Sequence, residues 1–236
     1  MEVTANAVDL LMPIVQTQRA RMQKRLIQHH FPLLILSSSS VAALYFTRPY
    51  RDVLTRLSFS TAYAAILLLG FTLLIGPWNV IRKRGNPVSS DLRRDAGIWA
   101  GILGMVHTAA GQCVHLRGHP WLYYVYSAQE HHHGLRHDLF GFANFTGVIA
   151  VLLLATLLAT SNDYSLRRFS TLRWKGLQRW NYLLFGLAAA HAIGYLIIEK
   201  QTIPFDATIA VCIALTLIMQ LSGFAIRSQL RCAAKS

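Results

Sequence analysis

The chain has 236 residues, of which 53% are hydrophobic and only 14% charged, with a mean hydropathy of +0.36. A soluble domain of this size carries charge on about a quarter of its residues, so an ordinary soluble protein is excluded. The formal charge of +13 invites a nucleic-acid reading, but the cations are parcelled out between apolar windows, so that reading is excluded too.

In chain order, the N-terminus places Glu2 and Asp9 where a signal peptide would have its basic region, and the run Arg19–Arg25 comes immediately before the first apolar window. It therefore reads as a juxtamembrane run meeting anionic headgroups rather than a cleaved leader. Six windows without charged residues follow: Leu26–Thr47, Leu57–Ile81, Ala96–Leu116, Leu139–Asn162, Trp180–Ile198 and Ala207–Ile226. Each is roughly 20 residues, enough at about 1.5 Å per residue to cross a hydrocarbon core of about 30 Å. Lipid offers the backbone no hydrogen-bond partner, so such segments must be helices. The first is the weakest, being diluted by Ser37–Ser40 and opened by Pro32.

Of the 23 Lys and Arg, 17 fall on the side of the termini and 6 on the other. That asymmetry predicts an all-α, six-helix transmembrane bundle with both termini cytoplasmic. Residues 1–30 are expected to be a cytoplasmic segment, with His29 and His30 solvated, residues 31–226 the membrane domain, and residues 227–236 a cytoplasmic tail. Three scattered cysteines, Cys113, Cys212 and Cys232, offer neither a disulfide framework nor a zinc site and read as core filler. Only ten residues follow Ile226, and no GxGxxG run follows a strand-like stretch. Any flavin or nicotinamide partner is expected to be a separate polypeptide.

Chemistry concentrates on two intramembrane histidines, a residue type that is costly in lipid and marks function by default. His107 lies twelve residues after Asp95, and His191 twelve after Arg179. Their windows, the third and fifth, run parallel, so both imidazoles fall at one depth, about 18 Å from the cytoplasmic start. Two imidazoles at one level are what bis-histidine haem ligation requires. Ala100, Gly104 and Gly111 share the face of His107, and Ala188 and Gly194 flank His191, leaving room for a porphyrin or simply for close helix packing. His115, about 12 Å further out, has Glu199 at its level and is a candidate for metal binding or proton exchange, or an ordinary polar face. His131–His133 form a weak metal-binding candidate.

At these residues the chain resembles the ferric reductase-like transmembrane domain family, which includes the haem-binding membrane subunit of the bacterial methionine sulfoxide reductase system, ferric reductases and NADPH oxidases. The resemblance rests on Leu92–Gly97 (LRRDAG), His107, Thr160–Asn162 (TSN), Trp174–Tyr182 (WKGLQRWNY) and His191. It implies haem b held by His107 and His191 as axial ligands, in a carrier that takes electrons from a quinol or a cytosolic flavoprotein and passes them to an outer-face acceptor. A bacterial plasma (inner) membrane location goes with it. The chain departs from the family at its inner level, where Gln178 replaces a histidine and Arg93 or Arg94 stands on the third helix. One haem is expected; a second would need unusual ligation or propionate contacts from Arg93, Arg94 and Gln178. Two other readings stay open: a direct ferric or cupric ion reductase, and a haem-free membrane scaffold or assembly protein.

Overall fold

The computed structural model describes residues 18–47, 50, 52–82, 91–116, 119–129, 134–200 and 202–233. Helix α1 spans Gln18–Thr47, with a π-helical turn at Leu26–His30 that the Phe31 amide closes onto the Leu26 carbonyl. The basic run is thus the first part of a continuous helix rather than a loop before one. Asp52 caps α2 (Val53–Ile81) by accepting from the Thr55 amide at 2.8 Å, and such a cap satisfies one of the orphan donors of a helix start. Next come α3 (Asp91–Gly111), a short 3-10 turn (Pro120–Tyr123) and α4 (Leu139–Ala159). The short α5 (Asp163–Arg168) and α6 (Thr171–Gln178) lead into α7 (Asn181–Glu199) and α8 (Ile203–Ala233). Among the described residues there is no strand, only an isolated antiparallel bridge between Val125 and Leu135.

Five stretches are long and apolar enough to cross a membrane: Gln18–Thr47, Val53–Ile81, Leu139–Ala159, Leu172–Glu199 and Ile203–Leu230. They make the chain a helical integral membrane protein. The remaining predicted window is helical as well, but the charges of its first turns, with its glycines and His107, keep α3 below that mark. Helix α3 also ends at Gly111, short of the predicted Leu116. Tyr123, itself 1% exposed, explains the stop: its hydroxyl donates to the Gly111 carbonyl at 3.0 Å and accepts from the His115 amide at 2.9 Å. Cys113 is exposed beyond that end instead of filling the core, whereas Cys212 packs inside.

Helix α2 is the central pillar. Its apolar window is 61% buried by protein, against 28% or less for the other four stretches, and it packs on α1, α3, α7 and α8. Small residues set the α2–α8 approach: a Cβ on Gly70 would lie 2.9 Å from Cys212 Sγ, and one on Gly223 3.0 Å from Pro77. Close approach at small residues is how membrane helices gain packing where lipid supplies no hydrophobic drive. Helices α4 and α7 form a second close pair, and α3 contacts α4. Helices α3 and α7 stand apart from each other, and the space between them is the site.

Candidate functional site

His107 on α3 and His191 on α7 face each other with ring centroids 5.9 Å apart and planes at 70°. Each ring is tethered by a different helix. His107 Nδ1 donates to the Ser58 carbonyl of α2 at 2.9 Å, with the Ser58 hydroxyl also 3.2 Å away. His191 Nδ1 donates to the Ala143 carbonyl of α4 at 2.7 Å. A carbonyl can only accept, so each neutral ring carries its proton on Nδ1 and keeps the Nε2 lone pair for another partner. Metal-binding histidines are typically oriented in this way, because the outer hydrogen bond fixes the tautomer and raises ligand basicity.

Both rings line a cavity of about 400 Å³ bounded by α2, α3, α4 and α7, a size usual for small-molecule and cofactor sites. Ala100, Gly104, Gly111 and Ala188 line it as the spacing predicts, but the small residues do two different jobs. A Cβ on Gly104 would meet Leu154 at 2.6 Å, and one on Gly194 would meet Ala143 at 2.8 Å, so these two glycines serve helix packing. Gly111 opens toward Ser58 and His107. The decisive glycine is one that the sequence reading passed over. A Cβ on Gly147 would lie 2.7 Å from His191 Nδ1 and 2.9 Å from Cε1, so the bare backbone of α4 is what admits the His191 ring.

The outer end of the cavity is polar. His115 Nε2 lies 3.3 Å from Glu199 Oε1, as their shared level predicts, although His115 sits beyond the end of α3. Its ring stacks on Tyr195 at 5.9 Å and 22°, and Tyr195 in turn contacts His191 at 5.0 Å. The Tyr195 hydroxyl donates to Asn144 Oδ1 at 2.9 Å. Among the described residues no three His, Cys, Asp or Glu side chains converge as a metal site. His115 and Glu199 form an imidazole–carboxylate pair, and His131–His133 lie outside the described residues.

The inner end departs most from expectation. His29 and His30 are not solvated: His29 Nδ1 lies 2.8 Å from one oxygen of Asp95, and His30 Nε2 3.4 Å from the other. Arg25 also pairs with Asp95, whose side chain is 0% exposed, and Arg21 pairs with Asp91 at 2.9 Å. The π turn makes this possible. It has about 4.4 residues per turn rather than 3.6, so positions separated by five as well as four share a face, which brings Arg25, His29 and His30 onto one carboxylate.

Arg94, 8% exposed, is spent on Asp163 at 2.6 Å. Burial pushes the Asp163 carboxyl up, but the Arg94 hydrogen bond and the charges of Arg94, Arg25 and Arg21 prevail and hold it below the ordinary carboxylate range. Arg93 reaches toward Gly76 of α2. Gln178 accepts from Asn181 at 3.2 Å. None of Arg93, Arg94 and Gln178 lines the histidine cavity. No protein-family model matches the chain.

Proposed function

We propose that this protein is a six-helix membrane electron carrier, in the manner of the ferric reductase-like domains it resembles, that holds one haem b between His107 and His191. Both termini lie on the cytoplasmic side in this reading, and the membrane is a bacterial plasma (inner) membrane. The supporting observation is the facing histidine pair. Two rings come from helices that stand apart, each has its Nδ1 tied to a carbonyl of a third or fourth helix, and both open on one cavity. A hydrogen-bonded packing histidine needs none of that duplication.

The donor set fits the group. His107 and His191 would hold it, and bound there haem b would supply one-electron Fe(III)/Fe(II) chemistry. The chain's own residues do the remaining work. Ser58 and the Ala143 carbonyl fix the tautomers, Gly147 gives the His191 ring its place, and the apolar walls from α2, α3 and α4 exclude water. At the inner level, the Asp95 cluster and the Arg94–Asp163 pair stand in place of a second histidine pair, which favours a single haem. Electrons would come from a quinol or a separate cytosolic flavoprotein and leave toward an acceptor at the His115–Glu199 end.

The test is a reduced-minus-oxidised spectrum of protein purified from haem-replete cells, with haem stoichiometry. A b-type spectrum at one haem per chain is expected. A colourless preparation would overturn the proposal and leave the scaffold reading.

A further inference from the structure

We propose that the His115–Glu199 pair is a redox-linked proton site: an electron arriving at the centre between His107 and His191 raises the proton affinity of this pair, which takes up proton charge from the outer aqueous phase. The inference rests on the haem reading above and deepens it by assigning a role to side chains that ligate nothing.

Three observations carry it. First, the pair is an imidazole and a carboxylate 3.3 Å apart, able between them to hold one proton or two. Second, among the described residues it is the only point on the cavity wall where a histidine meets a carboxylate, and it is part-exposed, with side chains 36% and 27% accessible. A proton can therefore reach it from water without crossing the apolar wall. Third, it is joined to the deep site by consecutive ring contacts, His191 to Tyr195 at 5.0 Å and Tyr195 to His115 at 5.9 Å. Among the described residues, the other titratable groups near it are Tyr123 and Tyr124 from the turn after α3, Tyr50 from the approach to α2, and Tyr195 and Lys200 from α7 and its end, and Glu199 has a further interaction of its own. None of these other groups is a carboxylate.

The coupling follows from electrostatics. An added electron is a negative charge in a poorly screened interior. At an effective dielectric of about 20, two charges roughly 10 Å apart still shift each other's equilibria more than tenfold. For each electron held between His107 and His191 the pair would take up about half a proton from water, since a shift of little more than tenfold leaves it partly protonated in both states. On reoxidation by a one-electron acceptor the electron and that proton charge both leave.

The experiment is a mediated potentiometric titration of the purified, haem-loaded protein between pH 5.5 and 8.5, for the wild type, His115→Gln, Glu199→Gln and Tyr195→Phe. The wild-type midpoint is expected to fall with rising pH by roughly 30 mV per unit at its steepest, half of the about 59 mV per unit of full one-proton coupling, because a shift of little more than tenfold moves about half a proton per electron. The slope should collapse in His115→Gln and Glu199→Gln and persist in Tyr195→Phe, which keeps the ring. A red wild-type protein with a flat profile, or a slope unchanged in both pair variants, overturns this proposal alone. A colourless wild-type protein overturns the haem reading along with it.

Discussion

The two ends of α3 handle costly polar groups in opposite ways. At the start of the helix, Asp95 is wholly buried, and Arg25, His29 and His30 gather around it from α1. Each charge is answered by a neighbour, and the outcome is a closed contact between two helices. Three turns later, His107 sits beside His191, another imidazole, with no carboxylate in contact among the described residues. Only the outer nitrogens are satisfied, by carbonyls of α2 and α4. A buried cluster that satisfies itself is structural, whereas a pair that secures its orientation and leaves one lone pair per ring uncommitted is prepared for something else. Burial and polarity alone would have ranked Asp95 above the histidines; the direction of the hydrogen bonds reverses that order.

The contrast can be broken from either end. The largest effect is expected from His107→Ala or His191→Ala, either of which should abolish the b-type spectrum while the protein still purifies as a folded membrane helix bundle. Full haem retention in either variant would remove the distinction drawn above. Asp95→Ala should do the reverse. It takes from Arg25, only 13% exposed, its closest partner and leaves it Asp163 at 4.0 Å; breaking a buried pair costs about 3–5 kcal/mol, and the remaining carboxylate offsets part of that. A marked drop in melting temperature in detergent is expected, with residual folded protein still binding haem.

Gly147→Ala should be felt at both levels. Forcing a methyl into a filled site costs about 1–3 kcal/mol, and the added carbon strikes the His191 nitrogen that holds the Ala143 carbonyl. Haem occupancy should therefore fall further than in Gly104→Ala, whose methyl meets only the flexible end of Leu154. The smallest effect belongs to Asp163. Its carboxyl is held below its ordinary range in the folded protein. Its contribution is thus complete above the unfolded value near about 4 and is lost as pH falls through the lower folded value. Melting curves from pH 6 downward should show a shallower acid-side loss in Asp163→Asn than in the wild type.

The histidine pair was legible because depth along a helix is a count of residues, and parallel helices convert equal counts into equal levels. Five of the six windows and most of their boundaries were legible for a similar reason, since charge-free length is a property of the string. The tethers were not. The groups that orient His107 and His191 are backbone carbonyls at Ser58 and Ala143, and every residue has one. Gly147 was equally silent, because one glycine in an apolar run carries no mark of which ring will lie on it. The Asp95 cluster did leave a trace. Arg21 and Arg25 repeat at the same four-residue spacing as Asp91 and Asp95, a ladder that two parallel helices could share. Assigning the cations to headgroups hid it, and the π turn that adds His29 and His30 has no signature in composition.

That π turn decides where the first helix tolerates a change of length. It amounts to one surplus residue accommodated between Leu26 and His30. Five residues at about 4.4 per turn sweep nearly the same angle as four at about 3.6. Deleting one residue there, such as Gln28, would let the segment relax to an ordinary α-helix with Arg21 and Arg25 still directed at Asp91 and Asp95. A deletion between Arg21 and Arg25 has no surplus to absorb it, and would rotate Arg21 by about 100° away from Asp91 while Arg25 kept its place.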